Sequence, residues 1–324
     1  MSFFAIWTPD VRVFGYFCEM INLRNDIFGK GKRVLYVSDM DGTLLNSASR
    51  VSDRSARMLN ELMRAGVMFT VATARTPATV QPLLGAIRQS VCTGPDGTER
   101  HIPAIVMTGA ALWDRHDARF RSVELIPEAD ARSITDAFAR HGIHPFVYCL
   151  SGDSFLNVYH PAAMTSREDA FYQERRHLTL KRFHLDQHPA SLDKVALFFA
   201  IGPVKGVQAV CAELQEATEC AAAWYPDIFM PDTGLIDLYA PGVSKAKAVT
   251  EMKRSTGADS VVVFGDNLND LPMMRVADLA VATDNALPQV KEQADIVIGS
   301  NDSDAVARFI MERHLPDHQL LSEL

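Results

Sequence analysis

Residues 33–38 read Arg-Val-Leu-Tyr-Val-Ser, a short β-branched and aromatic run that stops directly at Asp39. A second apolar run, Ser260-Val-Val-Val-Phe264, stops in the same way at Gly265-Asp266. Between them the chain alternates. Ser52 or Asp53 can cap a helix whose apolar positions are Met58, Leu59, Leu62 and Met63, and Gly66 ends it. A second strand, 67–72, closes on Thr73; a helix is expected over 77–88 and a third strand over 104–107. Strands separated by helical stretches of this size build a parallel sheet with crossover helices, and in such sheets ligands sit beyond the carboxyl ends of the strands. Asp39 and Thr73 each fall at that edge.

The middle of the chain follows another rhythm. Helical patterns near 127–141, 164–177 and 205–217 are interleaved with strand-like runs at 145–150, 154–159, 195–201, 220–230 and 234–239. This hairpin-rich α+β composition reads as a domain inserted into an α/β protein. The expected division is an N-terminal extension over 1–30, a parallel-sheet core over 31–113 and 235–324, and an inserted α+β cap over 114–234. After the insertion the alternation resumes, with a helix after Ser244, strands at 260–264, 279–282 and 295–298, and a closing helix from Ser303.

Composition sets outer limits. The chain has 324 residues, 48% hydrophobic and 22% charged, enough apolar material for folded domains rather than disorder. A net charge of -8 argues against a sequence-independent nucleic-acid binder, which needs a basic face. No window approaches the apolar length of a membrane span, and Asp10, Arg12 and Glu19 interrupt the apolar N-terminus, so a membrane role and a signal peptide are not expected. The five cysteines are scattered without a paired motif, which fits a reducing, cytoplasmic setting.

Asp39 and Asp41 are two residues apart at a strand end, so both carboxylates can project to one side. Gly42 lets the chain turn close to a ligand, and Thr43 offers a hydroxyl. The loop Gly265-Asp266-Asn267-Leu268-Asn269-Asp270 brings a second acidic group to the same edge. Clustered carboxylates are costly unless a cation relieves them, and an oxygen-only set beside a phosphate favours Mg²⁺ over zinc or calcium. Thr73 supplies a hydroxyl for an anion. Lys245 stands at a helix start, where its charge opposes the macrodipole, so a functional role is favoured there.

These motifs, in this order, resemble the haloacid dehalogenase superfamily of phosphatases, in its Cof-type subfamily with a large α/β cap. The resemblance covers about residues 33 to 300. Asp39-Met-Asp41-Gly-Thr-Leu-Leu45 matches the first motif, Thr73 with Arg75 and Gly242-Val-Ser-Lys245 the intervening ones, and Gly265 to Asp270 the last. It implies that Asp39 is the nucleophile and Asp41 the general acid and base. Thr73 and Lys245 would hold phosphoryl oxygens, with Arg75, Gly42 and Asn269 also on the phosphate side. Mg²⁺ would be held by Asp39, Asp266 and the main-chain carbonyl of Asp41, with Asp270 orienting Lys245 or a metal-bound water. The expected activity is hydrolysis of a small phosphate monoester, a sugar phosphate or related metabolite, by a monomer or homodimer. A phosphomutase and a non-catalytic binder of phosphometabolites are the alternatives.

Two positions depart from the family pattern: Ala74 where relatives commonly have Gly, and Thr108 where many have Asn. Asp153, His160 and Tyr225 are further candidates for a substrate pocket. The pair His314 and His318, and His177, His184 and His188, read as ordinary surface or structural residues.

Overall fold

The computed structural model describes residues 27–29, 31–94, 96–227, 230 and 232–314. Residues 1–26, and with them Cys18 and most of the expected extension, lie outside the described residues, as does His318.

In chain order the first part contains β1 (Val34–Ser38), α1 (Asp53–Arg64), β2 (Met68–Val71), α2 (Pro77–Leu83), a hairpin of β3 (Val91–Thr93) and β4 (Glu99–His101), then β5 (Ala104–Val106), β6 (Ala111–Asp114) and β7 (Arg119–Val123). The middle contains α3 (Glu128–Arg140), β8 (Phe146–Ser151), β9 (Phe155–His160), α4 (Ser166–Arg175), β10 (Lys181–Leu185), β11 (Val195–Pro203), α5 (Val204–Ala217), β12 (Cys220–Pro226) and β13 (Thr233–Pro241). The last part contains α6 (Lys245–Thr256), β14 (Ser260–Gly265), α7 (Leu271–Met274), β15 (Leu279–Ala282), α8 (Pro288–Gln293), β16 (Ile296–Val297) and α9 (Ala305–His314).

The core sheet runs β16-β15-β14-β1-β2, every neighbouring pair parallel. β1 and β14 are buried along their whole length, which is why both read as apolar runs. β5 touches the sheet beyond β2 through one bridge, Ala72 to Ile105, and then enters an antiparallel β5-β6-β7 sheet. The helix expected over 77–88 stops at Leu83: Pro82 removes a backbone donor inside it and Gly85 follows.

The middle segment forms a second sheet, β10-β9-β8-β11-β13-β12. α5 packs on β11, β12 and β13 and against α3, presenting Val207, Val210, Cys211 and Leu214 at helical spacing. Strand pairing moves both expected edges of the insertion. β13 is antiparallel to β11 and β12, so an edge at 234 cuts a strand that belongs to this sheet. The edge at 113 cuts β6, where Trp113 pairs with Ala104 of β5 and its Nε1 donates to Gln81 of α2. The chain crosses instead between Glu124, whose N–H bonds to Ala110, and Ile126, whose N–H bonds to Val195 of β11. It returns after Pro241. Both shifts arise from hairpin pairing, which residue composition does not reveal.

Candidate active site

β1 and β14 lie side by side in register, Ser38 opposite Phe264, and the Asp39 N–H donates to Phe264 O at 2.9 Å. The two acidic motifs therefore leave the sheet at the same point. Asp39 is buried, and Lys245, the first residue of α6, reaches it through Nζ at 2.5 Å from Oδ1. The same ammonium donates to Asp270 Oδ1 at 2.8 Å. Asp270 is fully buried, and its other oxygen, Oδ2, accepts the N–H groups of Asp266 and Asn267 at 3.0 and 3.1 Å. Both oxygens of Asp270 are thus engaged in fixing Lys245 and the loop.

α6 can start this close to Asp39 because Gly109 lets the backbone pass. Its φ is +99°, and a Cβ there would lie 2.4 Å from Ser244 O. Gly42 has the same role on the other side. With φ at +76°, a Cβ would lie 2.4 Å from Asp266 Oδ2. Asp266 accepts the Thr43 hydroxyl at 2.7 Å.

Three carboxylates, Asp39, Asp266 and Asp270, present oxygens within 4.8 Å of one another and face a single ammonium. Burial pushes the Asp39 carboxyl above the ordinary carboxylate range, against the pull of Lys245 and with a further push from Asp270 and Asp266. Burial also pushes Asp266 up, to about 6, while the Thr43 hydroxyl opposes it. Burial works against the Lys245 ammonium as well, but Asp39 and Asp270 outweigh it and hold its pKa above the ordinary lysine value. The proton therefore stays on the amine, and the cluster is short of positive charge. A hard divalent cation fits an all-oxygen donor set with that deficit, and Asp39 and Asp266 have oxygens left to offer it.

The other expected residues divide. Arg75 faces Asp41: Nε and Nη2 donate to the two carboxylate oxygens at 2.7 and 2.6 Å. That fork holds the guanidinium above its ordinary pKa, despite partial burial. Thr73 is buried at the end of β2, and its backbone is held by Ile105 O and the Thr108 N–H. Its hydroxyl accepts the Arg75 N–H at 3.2 Å. Asn269 is exposed and its side chain makes no hydrogen bond among the described residues; Asn267 does the capping, accepting the Leu268 N–H. Ala74 has no positive φ, so the glycine common in relatives is not needed there. Thr108 sits at φ 58°, ψ 19°, a left-handed conformation that asparagine tolerates better than a β-branched residue.

A cavity of about 630 Å³ lies over this edge. Asp41, Ala74 and Arg75 contribute to its floor, and the open face of the second sheet forms its ceiling. The ceiling residues alternate along their strands, as one face of a sheet requires: Leu197, Phe199 and Ile201 on β11, Leu235 and Asp237 on β13. Tyr225, a pocket candidate, lines the cavity and donates to Asp237 at 3.1 Å. Asp153 is exposed and not part of the cavity lining. His160 is buried elsewhere, stacked on Phe146 with its nitrogens near the carbonyls of Pro161 and His144. His314 lies 2.9 Å from the Tyr36 hydroxyl, His184 bonds to Asn157, and His177 and His188 are exposed.

Sequence reasoning missed Asn285 and Thr283, which donate to the Gly42 carbonyl at 2.7 and 3.3 Å and so support the first motif. Both follow β15 directly, and the rule that sites lie past strand ends would have selected them. It also missed Lys181 and Asp237 in the ceiling.

A family model described as haloacid dehalogenase-like hydrolase matches residues 36–310. A pyridoxal phosphate phosphatase of Escherichia coli is 27% identical over 281 residues, covering 84% of this chain and 95% of its own. A 5-amino-6-(5-phospho-D-ribitylamino)uracil phosphatase of Bacillus subtilis is 25% identical over 297 residues, again 84% and 95%. Among solved structures, a subclass IIB sugar phosphatase of the superfamily superimposes with a TM-score of 0.63 at 20% identity, over 86% of this chain and 97% of its own.

Proposed function

Because the chain belongs to the haloacid dehalogenase-like hydrolases, we propose that it is a Mg²⁺-dependent phosphatase. Its substrate on this reading is a small phosphate monoester, a sugar phosphate or related phosphometabolite. The observation that carries it is Asp39, buried at a strand end with Lys245 at 2.5 Å and a cation-deficient carboxylate cluster beside it, under a cavity of metabolite size. The relatives named as phosphatases support the reaction class.

An Asp39 carboxylate oxygen attacks phosphorus, and the ester P–O bond breaks as Asp41 gives its proton to the leaving oxygen. Asp41 then takes a proton from water as that water attacks the aspartyl-phosphate. The P–O bond to Asp39 breaks, and phosphate and free Asp39 are restored. Lys245, fixed by Asp270, keeps a positive charge where negative charge develops on the phosphoryl oxygens. Thr73 adds its hydroxyl. Arg75 holds Asp41 in its ionised form once the proton has left, and the ceiling keeps bulk water from the reacting centre while the phosphoryl group passes to Asp39. Asp39 and Asp266 would hold the Mg²⁺, which supplies charge neutralisation for the transferring phosphoryl group.

Turnover of an aryl phosphate with and without chelator, in wild type and Asp39→Asn, tests this reading. Activity restored by Mg²⁺ and lost in the variant is expected; turnover that survives either treatment contradicts it. Labelled water separates hydrolysis from phosphomutase chemistry, since only hydrolysis puts label into released phosphate.

A further inference from the structure

The ceiling of the cavity holds a lysine that no carboxylate among the described residues answers. Lys181 opens β10, pairs in register with Leu156 of β9, and is 5% exposed. Among the described residues no carboxylate and no hydrogen-bond acceptor reaches its ammonium. Its neighbours are rings: Tyr148 at 5.9 Å and Phe183 at 5.3 Å from Nζ to the centroid. The other ceiling cations are matched. Arg167 pairs with Asp227 at 2.7 Å, and Arg175 pairs with Glu174 at 2.5 Å and stacks on Phe171.

A buried cation without a counter-ion is costly, and burial together with the nearby Arg175 pulls the Lys181 pKa down to about 7. A fold that needed only apolar packing at this position would be better served by methionine. Lys181 lines the same cavity as Asp41, so a ligand whose phosphate sits at the floor has its leaving group below this ammonium. Tyr148, Phe171, Phe199 and Tyr225 border the space between, and such walls suit a flat ring.

We propose that Lys181 is a specificity-determining residue that binds an anionic oxygen, a carboxylate or phenolate, carried by a ring on the leaving-group side of the substrate. The ligand then supplies the missing counter-charge in a site where a charge-assisted hydrogen bond is strong. The inference rests on the phosphatase reading for the position of the phosphate, and goes beyond it in naming what the other end of the substrate must carry.

The test uses binding, so that it does not depend on turnover. Benzylphosphonate and its ortho, meta and para carboxy derivatives are titrated calorimetrically into the full chain with Mg²⁺. At least one carboxy isomer is expected to bind about tenfold or more tightly than benzylphosphonate. Lys181→Met should erase that preference and Lys181→Arg keep most of it, with melting curves confirming that both variants fold. No preference for any isomer in wild type overturns the proposal without any variant. A preference that survives in folded Lys181→Met overturns it too. If instead the phosphatase reading fails, aryl phosphates are not turned over while the binding preference persists, so the two failures are distinct.

Discussion

Two buried lysines stand on opposite sides of the site, and of the two Lys181 lines the cavity itself. Lys245, in the floor, is 1% exposed and touches two carboxylates. Lys181, in the ceiling, is 5% exposed, lies beside the rings of Tyr148 and Phe183, and meets no carboxylate among the described residues. The surroundings drive them apart: Lys245 is held above the ordinary lysine pKa, Lys181 is pulled down to about 7. The floor is an internally answered charge network, preorganised before a ligand arrives and suited to one kind of chemistry. The ceiling leaves a charge open, which suits selection among ligands. On the proposed reading, reaction and selectivity are separated onto two sheets.

The largest expected effect falls on the floor. Asp39→Asn should lower kcat for an aryl phosphate by on the order of 10⁴ or more, because the proposed nucleophile is removed. The same turnover assay on Lys181→Met with that uncharged-ring substrate should show a far smaller change; equal losses would erase the distinction.

Next comes stability. Lys245→Met leaves buried carboxylates without their counter-ion and should cost about 3 kcal/mol or more in urea unfolding without metal, with part recovered on adding Mg²⁺. Lys181→Met removes an unanswered buried charge, so its unfolding midpoint should equal or exceed that of wild type. A destabilised Lys181→Met would mean that the ceiling lysine is structurally satisfied after all.

Gly42→Ala probes how tightly the floor is built. The new methyl would lie 2.4 Å from an Asp266 oxygen at a φ of +76°. A loss of about 2 kcal/mol is expected, together with weaker Mg²⁺ binding by titration. Unchanged Mg²⁺ affinity would remove Asp266 from the proposed metal set.

A further effect is a pH slope. Lys181 has a folded pKa near 7 against an ordinary value of 10.5, so between those limits the unfolded chain binds more protons. Its contribution to stability therefore rises with pH across that window, and its full penalty applies below it. Unfolding curves should show Lys181→Met more stable than wild type near pH 7, with the gap closing towards pH 10. Asp237 acts in a lower window: burial raises it from 3.8 to about 7, so the folded chain binds more protons there and stability falls as pH rises through it. Asp237→Asn should flatten that lower slope.

Much of the floor was legible in the sequence, because its residues follow apolar runs at strand ends. Asp39, Thr73 and Asp266 each stand directly after such a run, and Lys245 follows a helix cap, so local pattern and sheet topology together bring them to one edge. The partner of Arg75 was not legible. Whether its fork meets an anion or Asp41 depends on side-chain geometry across 34 residues. The ceiling was opaque for a related reason. Lys181 sits in a strand of mixed polarity, and its burial depends on pairing with β9 and on the ring of Tyr148 in β8, contacts that no local spacing encodes. The edges of the insertion shifted because β6 and β13 pair with partners that composition cannot name.

The central claim is that Asp39 carries the phosphoryl group between ester and water. Acid quenching of the full chain during turnover of a radiolabelled aryl phosphate, followed by peptide mapping, tests it most directly. The account predicts a hydroxylamine-sensitive label on the peptide containing Asp39, absent from Asp39→Asn. Product release without labelled protein, or a label on another residue, would contradict it.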